Sequence, residues 1–118
     1  MTTDEDILFI DINQGEDLDL EISWDDEEGT PVSLAGYTAK MQLRKNAGDP
    51  NIYLEASSAN GCFTVDTVNN KLMLKIESAV IDELTFKNAV GDLFVTSPGD
   101  VVTKLFRVRA TLIKKVTV

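Results

Sequence analysis

Apolar and polar residues alternate one for one along most of this chain, the period of two that marks half-buried strands. Leu18, Leu20, Ile22 and Trp24 share one phase, with Asp17, Asp19, Glu21, Ser23 and Asp25 on the other. Tyr37, Ala39, Met41 and Leu43 alternate in the same way with Thr38, Lys40, Gln42 and Arg44. Between the two runs lies DDEEGTP, whose Gly29 and Pro31 are turn residues.

The rest of the chain follows the same rule. Ile7 to Ile12 (ILFIDI) predicts a first strand, ended by Asn13, Gln14 and Gly15 and expected to pair with the Leu18 strand as a hairpin. Lys45 to Pro50 is a loop by composition, and Ile52 to Ala56 is a short strand with Tyr53 off the apolar phase and therefore expected at the surface. After the SSANG turn, Phe63 and Val65 define a strand that reverses at Asn69-Asn70 into Leu72, Leu74 and Ile76, which predicts a hairpin. Ser78 is a good N-cap for one short helical turn in AVIDELTF, which would cross between sheets and plug the core with Val80, Leu84 and Phe86. Val90 to Thr96 is a strand, Pro98 and Gly99 centre a turn, and Thr103 to Lys115 is the longest strand. In that strand Phe106, Val108, Ala110 and Leu112 face one way and Arg107, Arg109 and Thr111 the other.

Short strands at spacings of roughly 8 to 12 residues, broken by Gly, Pro and Asn turns, predict an all-β fold: an antiparallel β-sandwich, Ig-like with Greek-key connections, and one short helical crossover. A small closed barrel is the alternative. With 118 residues, positions 1–118 make a single domain with Trp24 in its core. A lone cysteine, Cys62, leaves no intramolecular disulfide, and no run is long and apolar enough for a membrane span. The start, MTTDEDILFIDI, has neither the basic region nor the cleavage site of a signal peptide, so synthesis in a reducing cytoplasm is expected.

Charge adds polarity to this picture. The net charge is −9, yet the first 30 residues hold 12 acidic and no basic side chains, whereas Lys104 to Val118 holds five basic and no acidic ones. Nucleic-acid binding usually calls for a basic domain, and the one basic run, Lys104, Arg107, Arg109, Lys114 and Lys115, is short, so nucleic acid is not an expected partner. The polar phases of two strands suggest a protein interface instead. Asp17, Asp19 and Glu21 would form an anionic patch and Arg107 and Arg109 a cationic one; if the two strands lie in different sheets, one copy's anionic patch can meet the next copy's cationic patch.

Candidate chemistry is sparse. The chain has no histidine, so the commonest general base and transition-metal ligand are both missing. Cys62 has no base to activate it, the serines form no nucleophile elbow, and Asp25, Asp26, Glu27 and Glu28 sit on a solvated turn that would not hold their pKa values apart. No enzyme, cofactor or catalytic residue is expected. The acidic turn could offer oxygen ligands to calcium, but its spacing is not that of an EF-hand loop. Sugar binding would need exposed aromatic rings, but Trp24, Tyr37 and Phe106 fall on core phases.

Three segments carry a resemblance: Leu34-Ala35-Gly36-Tyr37-Thr38-Ala39 with Met41 and Arg44; Gly91-Asp92-Leu93 with Ser97-Pro98-Gly99-Asp100; and the last strand with Val116-Thr117-Val118. Over residues 9–118 the chain resembles small β-sandwich modules of tailed bacteriophages, similar to the N-terminal domain of siphophage baseplate upper proteins and related tail and fibre domains. Members often have Tyr where this chain has Gly91. The resemblance implies a virion structural protein made in the host bacterial cytoplasm, present in many copies and homo-oligomeric in the particle. It would be an adaptor or accessory subunit of the tail, baseplate or collar that joins other virion proteins, with no cofactor and no membrane or nucleic-acid partner. Because no receptor-binding segment follows Val118, a stand-alone subunit is the expected form. A capsid decoration protein, or a calcium- or carbohydrate-binding module, is the alternative.

Overall fold

The computed structural model describes residues 7–26 and 28–116. Eight strands and one helical turn follow in the order β1 (Ile7–Asn13), β2 (Leu18–Ser23), β3 (Thr38–Arg44), β4 (Leu54–Ser57), β5 (Phe63–Asp66), β6 (Lys71–Ile76), α1 (Ser78–Ile81), β7 (Asn88–Thr96) and β8 (Val102–Ile113). They form a sandwich of a five-stranded sheet, ordered β1-β8-β7-β3-β4, and a three-stranded sheet, ordered β2-β6-β5. This is the Ig-like Greek-key sandwich that the turn spacing predicts, with two differences of connectivity.

The first concerns β1. It does not form a hairpin with β2; it crosses to the other sheet and runs parallel to β8, from Ile7 opposite Arg107 to Asn13 opposite Ile113. The physical reason is the edge of β8, twelve residues long, whose backbone groups β1 satisfies. A hairpin would have placed both apolar phases in one sheet. Instead β1 lends Ile10 and Ile12 to one wall of the core and β2 lends Ile22 to the other. The turn between them is tied down at Gly15, whose N–H donates to Asp82 Oδ1 at 2.9 Å while Lys115 Nζ contacts Asp82 Oδ2 at 3.1 Å.

The second difference is a bulge. Leu93 pairs with Phe106 but Phe94 pairs with Lys104, so Leu105 is an extra residue in β8. Strict alternation would set Lys104 on the face opposite Arg107; the bulge brings both to the same face.

Between the sheets the apolar phases meet. Ile22, Phe63, Leu72, Leu74 and Ile76 of one sheet and Ala39, Met41, Leu43, Leu93, Val95 and Val108 of the other are buried. The crossover α1 follows the predicted path, but its details depart from expectation. Its N-cap position is Glu77, with no side-chain cap, and the Ser78 N–H is met instead by Asp17 Oδ1 at 2.7 Å, reaching from the start of β2. Ile81 and Phe86 seal that end of the core, while Val80 is exposed. Tyr53, expected at the surface, is half-buried and stacks on Phe86 with ring centroids 5.2 Å apart. Trp24 packs against the core from one end and is only half-buried, edge-to-face with Tyr37 at 5.8 Å.

Gly91 shows how closely β7 and β3 approach. A Cβ there would run into the Gln42 carbonyl oxygen and lie 3.1 Å from Leu43 Cδ2, so this sheet has no room for a side chain at position 91. Gly91→Ala should destabilise the domain by about 1–3 kcal/mol, measured by denaturant unfolding, because backbone would have to shift to accept it. Asp82 supplies a pH-dependent term: the Lys115 ammonium, then the Gly15 N–H, hold its carboxyl below the usual range. A depressed carboxyl stabilises the fold above its unfolded pKa of about 3.9 and loses that contribution as pH falls through the folded value. Unfolding of Asp82→Asn should therefore depend less steeply on pH than the parent below about pH 4.

Candidate functional site

The outer face of the five-stranded sheet is built by register alone. Since side chains alternate across a strand, residues paired laterally share a face and form rows. One row runs Phe9, Arg109, Val90, Arg44; the next runs Ile7, Arg107, Asp92, Gln42, Glu55; the third runs Lys104, Phe94, Lys40, Ser57. Lys40, Arg44, Lys104, Arg107 and Arg109 thus stand here against Asp92, Glu55 and, one step beyond, Asp11. A chain of net charge −9 presents a sheet face that is locally cationic.

A cleft of about 560 Å³ opens on this face, bounded by β3, β7 and β8 and rimmed by Asn46, Ala47 and Gly48 of the loop after β3. Its basic walls are held in place. Arg44 donates from Nη1 to the Asp49 carbonyl and from Nη2 to Gln42 Oε1, both at 2.7 Å, and Gln42 Nε2 donates to Glu55 Oε1 at 2.7 Å. That hydrogen bond, with Lys40 Nζ 3.6 Å away, keeps the Glu55 carboxyl below its ordinary pKa. On the cleft floor, Asp92 Oδ1 is shut off from solvent without a hydrogen bond, at ion-pair distances of 3.8 Å from Lys104 and 3.9 Å from Arg107. Arg109 is exposed and makes no ion pair among the described residues. Apolar surface lies between the charges: Phe9 is 72% exposed and Phe94 39%. Arginine interleaved with exposed aromatic side chains is the composition of protein-binding surfaces.

The sequence-predicted interface residues separate into two groups. Arg107 and Arg109 line the cleft. Asp17, Asp19 and Glu21 belong to the other sheet, so the two sets do not pair within one chain. Those acidic side chains are engaged nearer home: Asp17 accepts the Ser78 N–H, Asp19 lies opposite Lys75, and Glu21 Oε2 is 3.3 Å from Lys71 Nζ. The outer face of the three-stranded sheet therefore carries both signs, and Asp17, Asp19 and Glu21 stay exposed on it.

Lys40, Arg44, Val90, Phe94 and Phe9 complete the cationic face, and reading the sequence as interface did not find them. Their signal was present as the polar phase of Tyr37 to Arg44, but only strand adjacency joins it to Arg107 and Arg109.

The other candidates resolve as structure. Burial pushes the Cys62 thiol up, which disfavours the reactive thiolate. In the acidic turn, Asp26 Oδ1 accepts the N–H groups of Glu28 and Thr30, both at 2.9 Å, so it is spent on the turn itself. Among the described residues no group of three or more Cys, Asp or Glu side chains could hold a metal ion. Nor is any helix long and apolar enough to cross a membrane. Trp24, Tyr37 and Tyr53 all pack on the core, so none of these three is an open aromatic platform for a sugar.

No protein-family model matches the chain, and no curated protein does. Among solved structures it is similar to the extracellular domain of the voltage-gated sodium channel beta4 subunit, described as a parallel homodimer with a role in cell-cell adhesion. The identity is 11%, the TM-score 0.47, and 98% of each chain is covered. It is also similar to a chain in a complex of ICOS, ICOS-L and an anti-ICOS-L VNAR domain, at 13% identity and TM-score 0.42, over 94% of this chain and 56% of the other. These likenesses extend to the sandwich fold and no further.

If the apolar side chains of the cleft face serve binding and not packing, removing one should leave the fold intact. Phe9→Thr, which keeps a β-branched residue on the strand, should change unfolding stability by no more than about 0.5 kcal/mol. Ile10→Thr, one residue on and buried, should cost several times that by the same measurement.

Proposed function

We propose that this protein is a non-catalytic binding module, a small structural subunit of a tailed-phage particle that joins other virion proteins through the outer face of its five-stranded sheet. The observation that supports this most is the cleft, with Arg44, Arg107 and Arg109 set among Val90 and Phe94 and with Phe9 exposed on the same face, on an otherwise acidic chain. An arginine already held by hydrogen bonds, as Arg44 is, beside exposed apolar side chains binds a partner with less ordering cost. The absence of histidine from the sequence removes the usual acid-base and metal chemistry from any competing enzymatic reading. The resemblance to phage tail and baseplate modules supplies the setting: a particle in which weak contacts are repeated many times and sum to firm attachment.

The test is occurrence in particles. Mass spectrometry of purified virions should find the protein as a stoichiometric component, and Lys40→Glu with Arg109→Glu should fold normally by circular dichroism yet be lost from particles. Absence of the parent from purified virions would overturn the virion role. Normal incorporation of the folded double variant would move the contact off this face.

A further inference from the structure

We propose that the cleft on the five-stranded sheet is filled by the acidic turn of a second copy of this chain, giving a head-to-tail contact. The proposal deepens the binding role of the same face by naming its partner.

The occupant is argued from charge and shape. The turn between β2 and β3 presents Asp25, Asp26 and Glu28, all exposed. Its described residues are tied to one another: Asp25 bridges to Pro31, the Asp26 N–H donates to the Thr30 carbonyl at 2.8 Å, and the Gly29 N–H donates to the Asp26 carbonyl at 3.0 Å. Asp26 Oδ1 fastens it further through the Glu28 and Thr30 N–H groups. A turn with several carboxylates suits in charge a cleft walled by Lys40, Arg44, Arg107 and Arg109, of which Arg44 is already held in place by its hydrogen bonds.

No residue of a copy's own turn lines its cleft, which runs along β3 from Lys40 to Arg44 and on to the 46–48 rim. Strand rise carries the far wall at Arg44 roughly 20 Å from Thr38, the end of β3 that the turn precedes. Complementary features at different places on one body make a heterologous contact, which repeats as a chain or closes as a ring. Because the charges are exposed, each contact is weak and salt-sensitive.

Three samples are compared by sedimentation velocity at millimolar concentration, at low and high salt. The first is the parent. The second carries Lys40→Glu with Arg109→Glu. The third carries Asp25→Lys with Glu28→Lys, which leaves Asp26 to hold the turn. The parent should self-associate at low salt, weakening by about tenfold or more at high salt. Each variant alone should stay monomeric, and an equal mixture of the two should associate, because each restores the face the other lacks. A monomeric parent at low salt would overturn the proposal, whether or not the cleft then retains a poly-glutamate peptide or a single-stranded oligonucleotide. So would a folded variant that associates like the parent. Self-association through these faces by a protein missing from virions would instead fail the virion role alone.

Discussion

Everything in this molecule depends on two apolar sheet faces being pressed together with a strict period of two behind them. Leu72, Leu74 and Ile76 on β6 and Met41, Leu43, Leu93 and Val108 opposite are almost wholly removed from water. Each such side chain contributes roughly 1.5–3 kcal/mol by burial, and a slip of one residue in any strand would turn that set outward. Register is therefore fixed from the inside. The outer face inherits it: rows of side chains that no core contact selects are nonetheless held in lateral order by the strands beneath them.

This is how a chain with a large excess of acid comes to carry a basic face. β3, β7 and β8 each bring a few polar-phase residues, and pairing sets them side by side. The bulge at Leu105 adds Lys104, and the close β3–β7 approach at Gly91 keeps Gln42 and Arg44 near Asp92. The three-stranded sheet does the opposite. There Asp19 lies opposite Lys75 and Glu21 is paired with Lys71, while the turn after β2 gathers Asp25, Asp26 and Glu28 on an exposed loop. Opposite signs end up at separate places on one rigid body, which is the condition for contacts between bodies and not within one.

The ends of the sandwich are closed by polar chemistry. Asp17 takes the Ser78 N–H and Asp82 takes the Gly15 N–H, so the β1–β2 turn and the α1 crossover hold one another through two carboxylates. Both acids would pass for surface charge in a sequence. In the fold they satisfy backbone donors where the chain changes sheet, which is where such donors lack partners.

Alternation and turn residues by themselves determined the strands, the β5–β6 hairpin, the crossover between β6 and β7 and the sandwich class, because each rests on contacts a few residues apart or on a phase that repeats locally. Tyr53, Trp24 and Ser78 were misjudged for one reason: phase and capping propensity say what a residue can do, not what stands opposite it. Tyr53 found Phe86, Trp24 found an end of the core and not its middle, and Ser78 found Asp17. The parallel pairing of β1 with β8, the bulge that turns Lys104, and the gathering of Lys40, Arg44, Arg107 and Arg109 around one cleft were decided only by tertiary structure. The physical reason is that strand adjacency is a long-range choice, made by which edges and apolar faces must be covered, and the polar phase of a strand carries no mark of the neighbour it will lie beside.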